Sequence, residues 1–351
     1  MTQLYSKPSI FGTGLIALDL VMSIDKSQPV RAWTGGTCGN VLSILGYLGW
    51  DSYPIARLNG DVASLQVKED FSRWGVHLDL AECTPTSATP IILQEIRRDK
   101  NGMPIHRFAW SCPHCGKWFP GFKPVTVRNL ALIAPKLIEP KVFFMDRLSR
   151  AGLSLASIAA ERGALVVFEP SAKMDSRFLE EVLQIAHVVK YSDQRVQQIE
   201  GIENKQSTVL LEVQTLGDKG LRYRSRLPNA KTKQWKEMSA LSLPVIADTC
   251  GAGDWCTAGL ISLIGIGGFE GFKGLSRETL INALRYGQAL AAWTCGFEGA
   301  RGGMYFSDKS LFDEQIKLIL KGDVSGIIAA PCQLNDIAVQ TQISCPACAV
   351  S

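Results

Sequence analysis

Short, largely apolar strand-like runs, "KVFFMDRLS", "ALVVFEPS", "HVVKYS" and "STVLLEVQTLG", recur along the chain with helical patterns such as "LSLASIAAERG" and "SRFLEEVLQIA" between them. A strand apolar on both faces must be covered on both faces, and a helix between consecutive strands is the connection that makes neighbours parallel. The chain is therefore expected to be an α/β protein, a mostly parallel sheet sandwiched by helices. An earlier run, "GLIALDLVMSI", reads as a further strand. From Pro90 to Trp110 the rhythm breaks. There "PIILQEIRRDKNGMPIHRFAW" places two strand-like runs around the polar turn "RDKNG", a hairpin that stands apart from the sandwich and is suited to act as a lid.

At 351 residues and 46% hydrophobic composition the chain can bury one large core or two modest ones. Its 37 basic and 33 acidic residues give a net charge of +4 without a basic block, so nothing points to nucleic acid, while small anionic ligands fit. No apolar stretch reaches the roughly 20 residues that span a bilayer. The start "MTQLYSKPSIFGTG" lacks the basic-then-apolar order of a secretion signal, so a cytoplasmic protein is expected. In that setting its ten cysteines are thiols or metal ligands rather than a disulfide framework. There is no internal repeat and no low-complexity segment.

Glycines mark three places where a ligand can approach the backbone. "GTGLIA", residues 12 to 17, fits the dinucleotide pattern G-x-G-x-x-A, but a strand follows it instead of a helix, and no acid lies between Asp25 and Asp51 for a ribose. No G-x-x-x-x-G-K-[ST] occurs either. "TGGTCGNVLSILGYLG", residues 34 to 49, has a Gly pair and then Gly39-Asn40 opening a helix; Asn40 either caps that turn or offers donors and an acceptor to a polyol hydroxyl. "ADTCGAGDWCTAGLISLIGIG", residues 247 to 267, opens a helix on Gly251, Ala252 and Gly253. The first amides of a helix lack internal partners and carry partial positive charge, so this turn suits an anion; Asp254 either complements the helix dipole or does chemistry.

Taken together, an early strand bearing Asp19, then "GGTCGN", "NGD" at 59 to 61, "TLGDKG" at 215 to 220 and "DTCGAGD" at 248 to 254 resemble the ribokinase-like (PfkB) carbohydrate kinases over nearly the whole chain. The resemblance implies a three-layer α/β/α sandwich with a small β lid. It implies one kinase domain over residues 1–330, with the lid hairpin and a cysteine knuckle inserted at about 85–122 and a tail over 331–351. It further implies Asp254 as the general base, the amides of Gly251, Ala252 and Gly253 as the anion hole, and Asp19, Gly36 and Asn40 as holders of substrate hydroxyls. Thr249, Gly217, Gly220 and Gly299 fall where the family borders the nucleotide, the last within "CGFEGARGG", residues 295 to 303. ATP and Mg²⁺ are the implied cofactors, a sugar, sugar acid or nucleoside the implied substrate, and a homodimer through the lid the implied assembly.

The chain departs from the family twice. Where many members carry N-x-x-E after a central strand, this chain has Ser192 and Arg195; an Arg cannot bind a cation but can meet a phosphate, and Asp193 or Glu169 is left to organise the metal unless Asp193 only caps a helix there. Then "SCPHCGKWF", residues 111 to 119, and "SCPACAVS" at the end supply two C-x-x-C pairs. Structural zinc on Cys112, Cys115, Cys345 and Cys348 is the expectation, with a redox dithiol, separate thiol pairs or pairing between subunits as alternatives. Cys250 and Cys256 flank the catalytic turn with no nearby His to activate them, and read, like Cys38, Cys83, Cys295 and Cys332, as small buried residues. His106, Arg107 and Trp110 can reach substrate from the lid, and Asp146 with Arg147 form either a substrate contact or an ion pair. A kinase follows from this reading; the alternative is a sugar- or nucleotide-binding pseudo-kinase weakened at Ser192 and Arg195.

Overall fold

The computed structural model describes residues 7–25, 27–170, 174–241, 243–324 and 327. In chain order it begins β1 (Ser9–Thr13), β2 (Ala17–Met22), β3 (Arg31–Gly35), α1 (Thr37–Tyr47), β4 (Asp51–Leu58), α2 (Val62–Arg73), β5 (Ala81–Cys83), β6 (Ile91–Arg98) and β7 (Pro104–Ala109). The middle holds α3 (Leu130–Ile133), β8 (Val142–Met145), α4 (Arg150–Glu161), β9 (Leu165–Phe168), α5 (Ser176–Leu183), β10 (Val188–Ser192), β11 (Leu211–Thr215), β12 (Leu221–Ser225) and β13 (Lys236–Met238). It closes with α6 (Ala252–Ile264), α7 (Gly268–Lys273), α8 (Arg277–Thr294), α9 (Gly302–Phe306) and α10 (Lys309–Lys321).

The main sheet runs β13-β12-β11-β10-β9-β8-β1-β4-β5, parallel from β11 to β5 and antiparallel at the β12–β13 edge. Its central strands divide their side chains between two cores, as period-two alternation requires. Val142, Phe144, Leu165 and Val167 join Val41, Leu45, Trp255, Leu260 and Leu284 of the α1, α6 and α8 layer. Phe143, Met145, Val166 and Phe168 join Leu155, Ala159 and Val182 of the α4 and α5 layer. Both faces are covered, which is why the strand runs carry no polar alternation.

The lid is larger than the hairpin expected from sequence. β6 and β7 do pair antiparallel, from Leu93 opposite Ala109 to Arg98 opposite Pro104. They form half of a four-stranded sheet ordered β3-β2-β6-β7, with β2 parallel to β6. The run "GLIALDLVMSI" thus does not extend β1: the chain leaves the main sheet after Thr13 and starts β2 in the lid at Ala17. Beyond β7 the chain forms a tight knuckle. Ser111 bridges Trp118, the Cys112 amide donates to Lys117 O at 2.9 Å and the Gly116 amide to Cys112 O at 2.9 Å. The tail with Cys332, Cys345 and Cys348 lies outside the described residues.

Candidate active site

The turn before α6 is built from backbone. Gly251 caps the helix with φ 77, and a Cβ there would lie 2.4 Å from Ala300 O, so only glycine fits both the left-handed conformation and the contact. Asp254 is the third helical residue, yet its carboxylate does not cap the helix end. Its Oδ2 accepts from Asn40 Nδ2 at 2.7 Å, bringing together two residues 214 positions apart. Burial, and next the charge of Glu169, push its carboxyl up to about 7, with Asn40, Arg195 and Lys190 pulling the other way. A carboxylate so placed is half ionised near neutrality, the condition a general base needs.

Asn40 is oriented from behind. Arg301, fully buried, donates its Nε to Asn40 Oδ1 at 3.1 Å, so the amide must turn its NH₂ toward Asp254. The guanidinium also donates to Thr34 O and pairs with Asp70 Oδ2 at 2.6 Å; Asp70 in turn accepts from Tyr305 at 2.6 Å and the Thr34 amide at 2.8 Å. Burial alone would push the Asp70 carboxyl up, but Arg301, Tyr305 and Thr34 outweigh it and hold it below its usual value. Asp19, on β2, stands over Gly35, where a Cβ would lie 1.8 Å from its carboxyl carbon. Burial raises Asp19 to about 7, against the pull of Arg301 and of the Gly36 amide.

A second buried pair lies under the turn. Lys190 Nζ donates to Glu169 Oε1 at 2.8 Å and to Gly253 O at 3.1 Å, and Thr257 Oγ1 donates to Gly253 O at 3.0 Å and also meets Glu169 Oε2. Burial works against the Lys190 charge, but Glu169 outweighs it and keeps the ammonium above its usual pKa. Glu169 is therefore engaged in fixing the turn through both carboxylate oxygens. Asp193 is the carboxylate left over. It sits in a turn after β10, with no helix to cap, and its Oδ1 is buried without a partner. Arg195 lies in the same turn, exposed, and its charge is felt by Asp254 and Cys250.

Gly217 (φ 61) and Gly220 turn the chain between β11 and β12, with Gly220 packed on Met238 O and Gln194 beside Gly217. Thr249 is exposed, and its carbonyl takes a long 3.4 Å contact from the Ala252 amide. The Gly299 amide donates to Asp248 Oδ2 at 3.0 Å, and the residue packs on Trp33 of the lid. Asp248, 1% exposed, also accepts from the Cys250 amide at 3.0 Å and from Gln94 Nε2 of β6 at 2.8 Å, while His106 Nδ1 of β7 stands 3.6 Å away. The lid is further tied to the body by Arg31 and Ser23 on Glu298.

Lys190, Arg301, Asp70 and Gln94 were absent from the sequence reading, and Asp248 entered it only as the first letter of "DTCGAGD", with no role. A charged residue in the apolar run "HVVKYS" and an Arg inside "GARGG" are the signals that could have found the first two. Asp146 and Arg147 form the ion pair, at 2.7 Å, with Asp146 also accepting from the Leu15 amide. Burial raises the thiols of Cys38, Cys250, Cys256 and Cys295; of the cysteines expected to be buried, Cys38 and Cys256 are, Cys250 and Cys295 are half-buried, and Cys83 is exposed. Among the described residues no three His, Cys, Asp or Glu side chains group as a metal site, and no helix is long and apolar enough to cross a membrane.

A parallel sheet between two helical layers, a four-stranded lid, and an acid in the first turn of a helix opened by Gly-Ala-Gly define the ribokinase-like fold. The particular likenesses agree. Arabidopsis thaliana ribokinase complexed with ribose and ATP superposes over 89% of this chain and 99% of its own, at 16% identity and TM-score 0.62. Fructokinase with bound ATP from Xylella fastidiosa covers 84% and 94%, at 16% and 0.64. Burkholderia thailandensis nucleoside kinase in complex with inosine covers 88% and 96%, at 15% and 0.61. No protein-family model and no curated protein matches by sequence.

Proposed function

We propose that this chain is an ATP-dependent kinase that phosphorylates a hydroxyl of a small sugar, sugar acid or nucleoside. The observation that carries the reading is the pair Asn40–Asp254 at 2.7 Å at the N-terminus of α6. Asp254 takes the proton of the substrate hydroxyl, and the first amides of α6, at Ala252 and Gly253, face the charge that grows on the transferring group. Lys190, through Gly253 O, holds that turn in shape, and Arg301, through Asn40, holds the donor that positions both base and hydroxyl. Phosphoryl transfer needs mainly such positioning and charge stabilisation. Asp193, with an unpartnered buried oxygen at the strand end, would hold a Mg²⁺ ion or its water, which would supply charge to neutralise phosphate oxygens, and Arg195, exposed in the same turn, brings a further positive charge.

The test is coupled ADP release with Mg²⁺ and ATP across ribose, fructose, sugar acids and inosine, with Asp254→Asn alongside. Turnover in the wild type that is lost in the variant, with binding retained, is the expected result. Full activity in the variant removes Asp254 as the base. The Ser192 and Arg195 departure favours a second reading, a binding protein with little turnover; ligand-induced thermal shifts without ADP release would establish it instead.

Zinc on Cys112, Cys115, Cys345 and Cys348 is proposed separately. It is supported by the knuckle geometry, in which the His114 amide points at Cys112 Sγ at 3.4 Å, as amides do in metal-binding C-x-x-C turns. Metal analysis showing one zinc per chain, lost in Cys112→Ser/Cys345→Ser, is expected; metal-free wild type ends the proposal. A homodimer through the lid is supported by β7, which is a sheet edge and exposes Ile105, with Trp110 exposed just beyond it; light scattering decides it.

A further inference from the structure

Each strand of the lid contributes one buried polar atom without a hydrogen-bond partner: Asp19 Oδ1 on β2, Trp33 Nε1 on β3, Gln94 Oε1 on β6 and His106 Nδ1 on β7. Register puts all of them on one face. Asp19 pairs with Trp33 and with Ile92, two residues from Gln94, while Gln94 pairs with Phe108, two residues from His106. That face looks onto the body, since Gln94 reaches Asp248 and Trp33 packs on Gly299. Asp19, Trp33 and Gln94 are 6%, 2% and 0% exposed, so bulk solvent does not reach them. Unpaired buried polar atoms weaken a structure, and in native proteins each one has a reason.

Two of these atoms, on Asp19 and Gln94, can accept, and Trp33 Nε1 can only donate. A hydroxyl is the smallest uncharged substrate group that serves both kinds, donating to an oxygen and accepting from an N–H. The Gln94 amide cannot flip to hide its oxygen, because its NH₂ is engaged by Asp248, the first acid of "DTCGAGD". We propose that Gln94 and Trp33 are specificity-determining residues that read hydroxyls of a polyhydroxylated aliphatic substrate, with Asp248 holding Gln94 in its reading orientation. The proposal rests on the kinase reading of the cleft and narrows its substrate from sugar or nucleoside to polyol.

The test is calorimetric binding to the full chain of ribose, fructose, their monodeoxy analogues and inosine, with ADP binding measured separately. Gln94→Met keeps length and removes the acceptor together with the donor to Asp248; Trp33→Phe keeps the ring and removes the N–H. Each variant should bind the best sugar about tenfold more weakly with ADP affinity unchanged, the effect of leaving one buried polar partner unmet. Removing one particular hydroxyl should weaken wild type but not the variant that reads it. Sugar affinity unchanged in both variants, or the same loss for every deoxy analogue, overturns the assignment. Inosine bound in preference to every sugar overturns the polyol class while leaving the kinase reading intact; failure of the wild type to bind ADP fells that reading itself.

Discussion

The floor of the cleft and the inner face of the lid are both buried and both polar, and they differ in how their hydrogen bonds close. On the floor, Lys190, Glu169, Thr257 and Gly253 O satisfy one another, and Arg301 joins Asn40, Asp70 and Thr34 through Nε and Nη2 while its Nη1 keeps no hydrogen-bond partner. On the lid face, Asp19, Trp33, Gln94 and His106 each keep an atom without a partner. Asp254 and Asp19 show the contrast in one property: each is pushed up to about 7 by burial, but Asp254 already has Asn40 as a side-chain donor, while Asp19 has an oxygen to spare. The floor is built before ligand arrives, as preorganised catalysis requires. The lid face is completed by the ligand.

The comparison breaks most readily at Asp254. Asp254→Asn should lower kcat by roughly 10²–10⁴-fold with ligand binding retained, the range for a lost general base. Gly251→Ala, which drives a Cβ to 2.4 Å from Ala300 O, should cost roughly 10²–10³-fold in kcat by tilting the anion-binding amides. Lys190→Met leaves Glu169 buried without its cation and should destabilise the fold by roughly 3–5 kcal/mol in urea titration. No such loss would mean that the floor is less closed than its hydrogen bonds imply.

Acidity sharpens the contrast. Because Asp254 must be ionised to accept a proton and its carboxyl is raised to about 7, kcat/KM should fall about tenfold per pH unit below that value. Stability runs the other way. A carboxyl raised on folding opposes ionisation, so the native state loses stability as pH rises from the unfolded value near 4 through 7. Asp254→Asn should therefore raise Tm at pH 8 relative to wild type and lose that advantage at pH 5. The smallest effect belongs to Arg195→Ala, expected to raise KM for ATP several-fold with a smaller change in kcat, a cation at the rim rather than in the floor.

The α/β class and the helix opened at Gly251 were legible because both are local. A strand buried on both faces is mostly apolar, and a glycine turn before an apolar helix leaves few other readings. The Asn40–Asp254 meeting was implied only through family resemblance, since 214 residues separate them. The lid was half legible. β6 and β7 announce themselves by their turn, whereas β2 looks like any strand, and nothing in "GLIALDLVMSI" says that the chain changes sheets after Thr13.

The sequence by itself determined the layers, the glycine turn that opens α6 and the acid within its first turn, because periodicity and glycine conformation act over a few residues. Tertiary structure alone decided that Glu169 serves Lys190 and leaves Asp193 open, that Arg301 aims Asn40, and that four lid strands turn unpaired atoms to one face. Those outcomes depend on which buried polar groups meet across the fold. Such pairing follows from the packing of distant segments, and no local pattern encodes it.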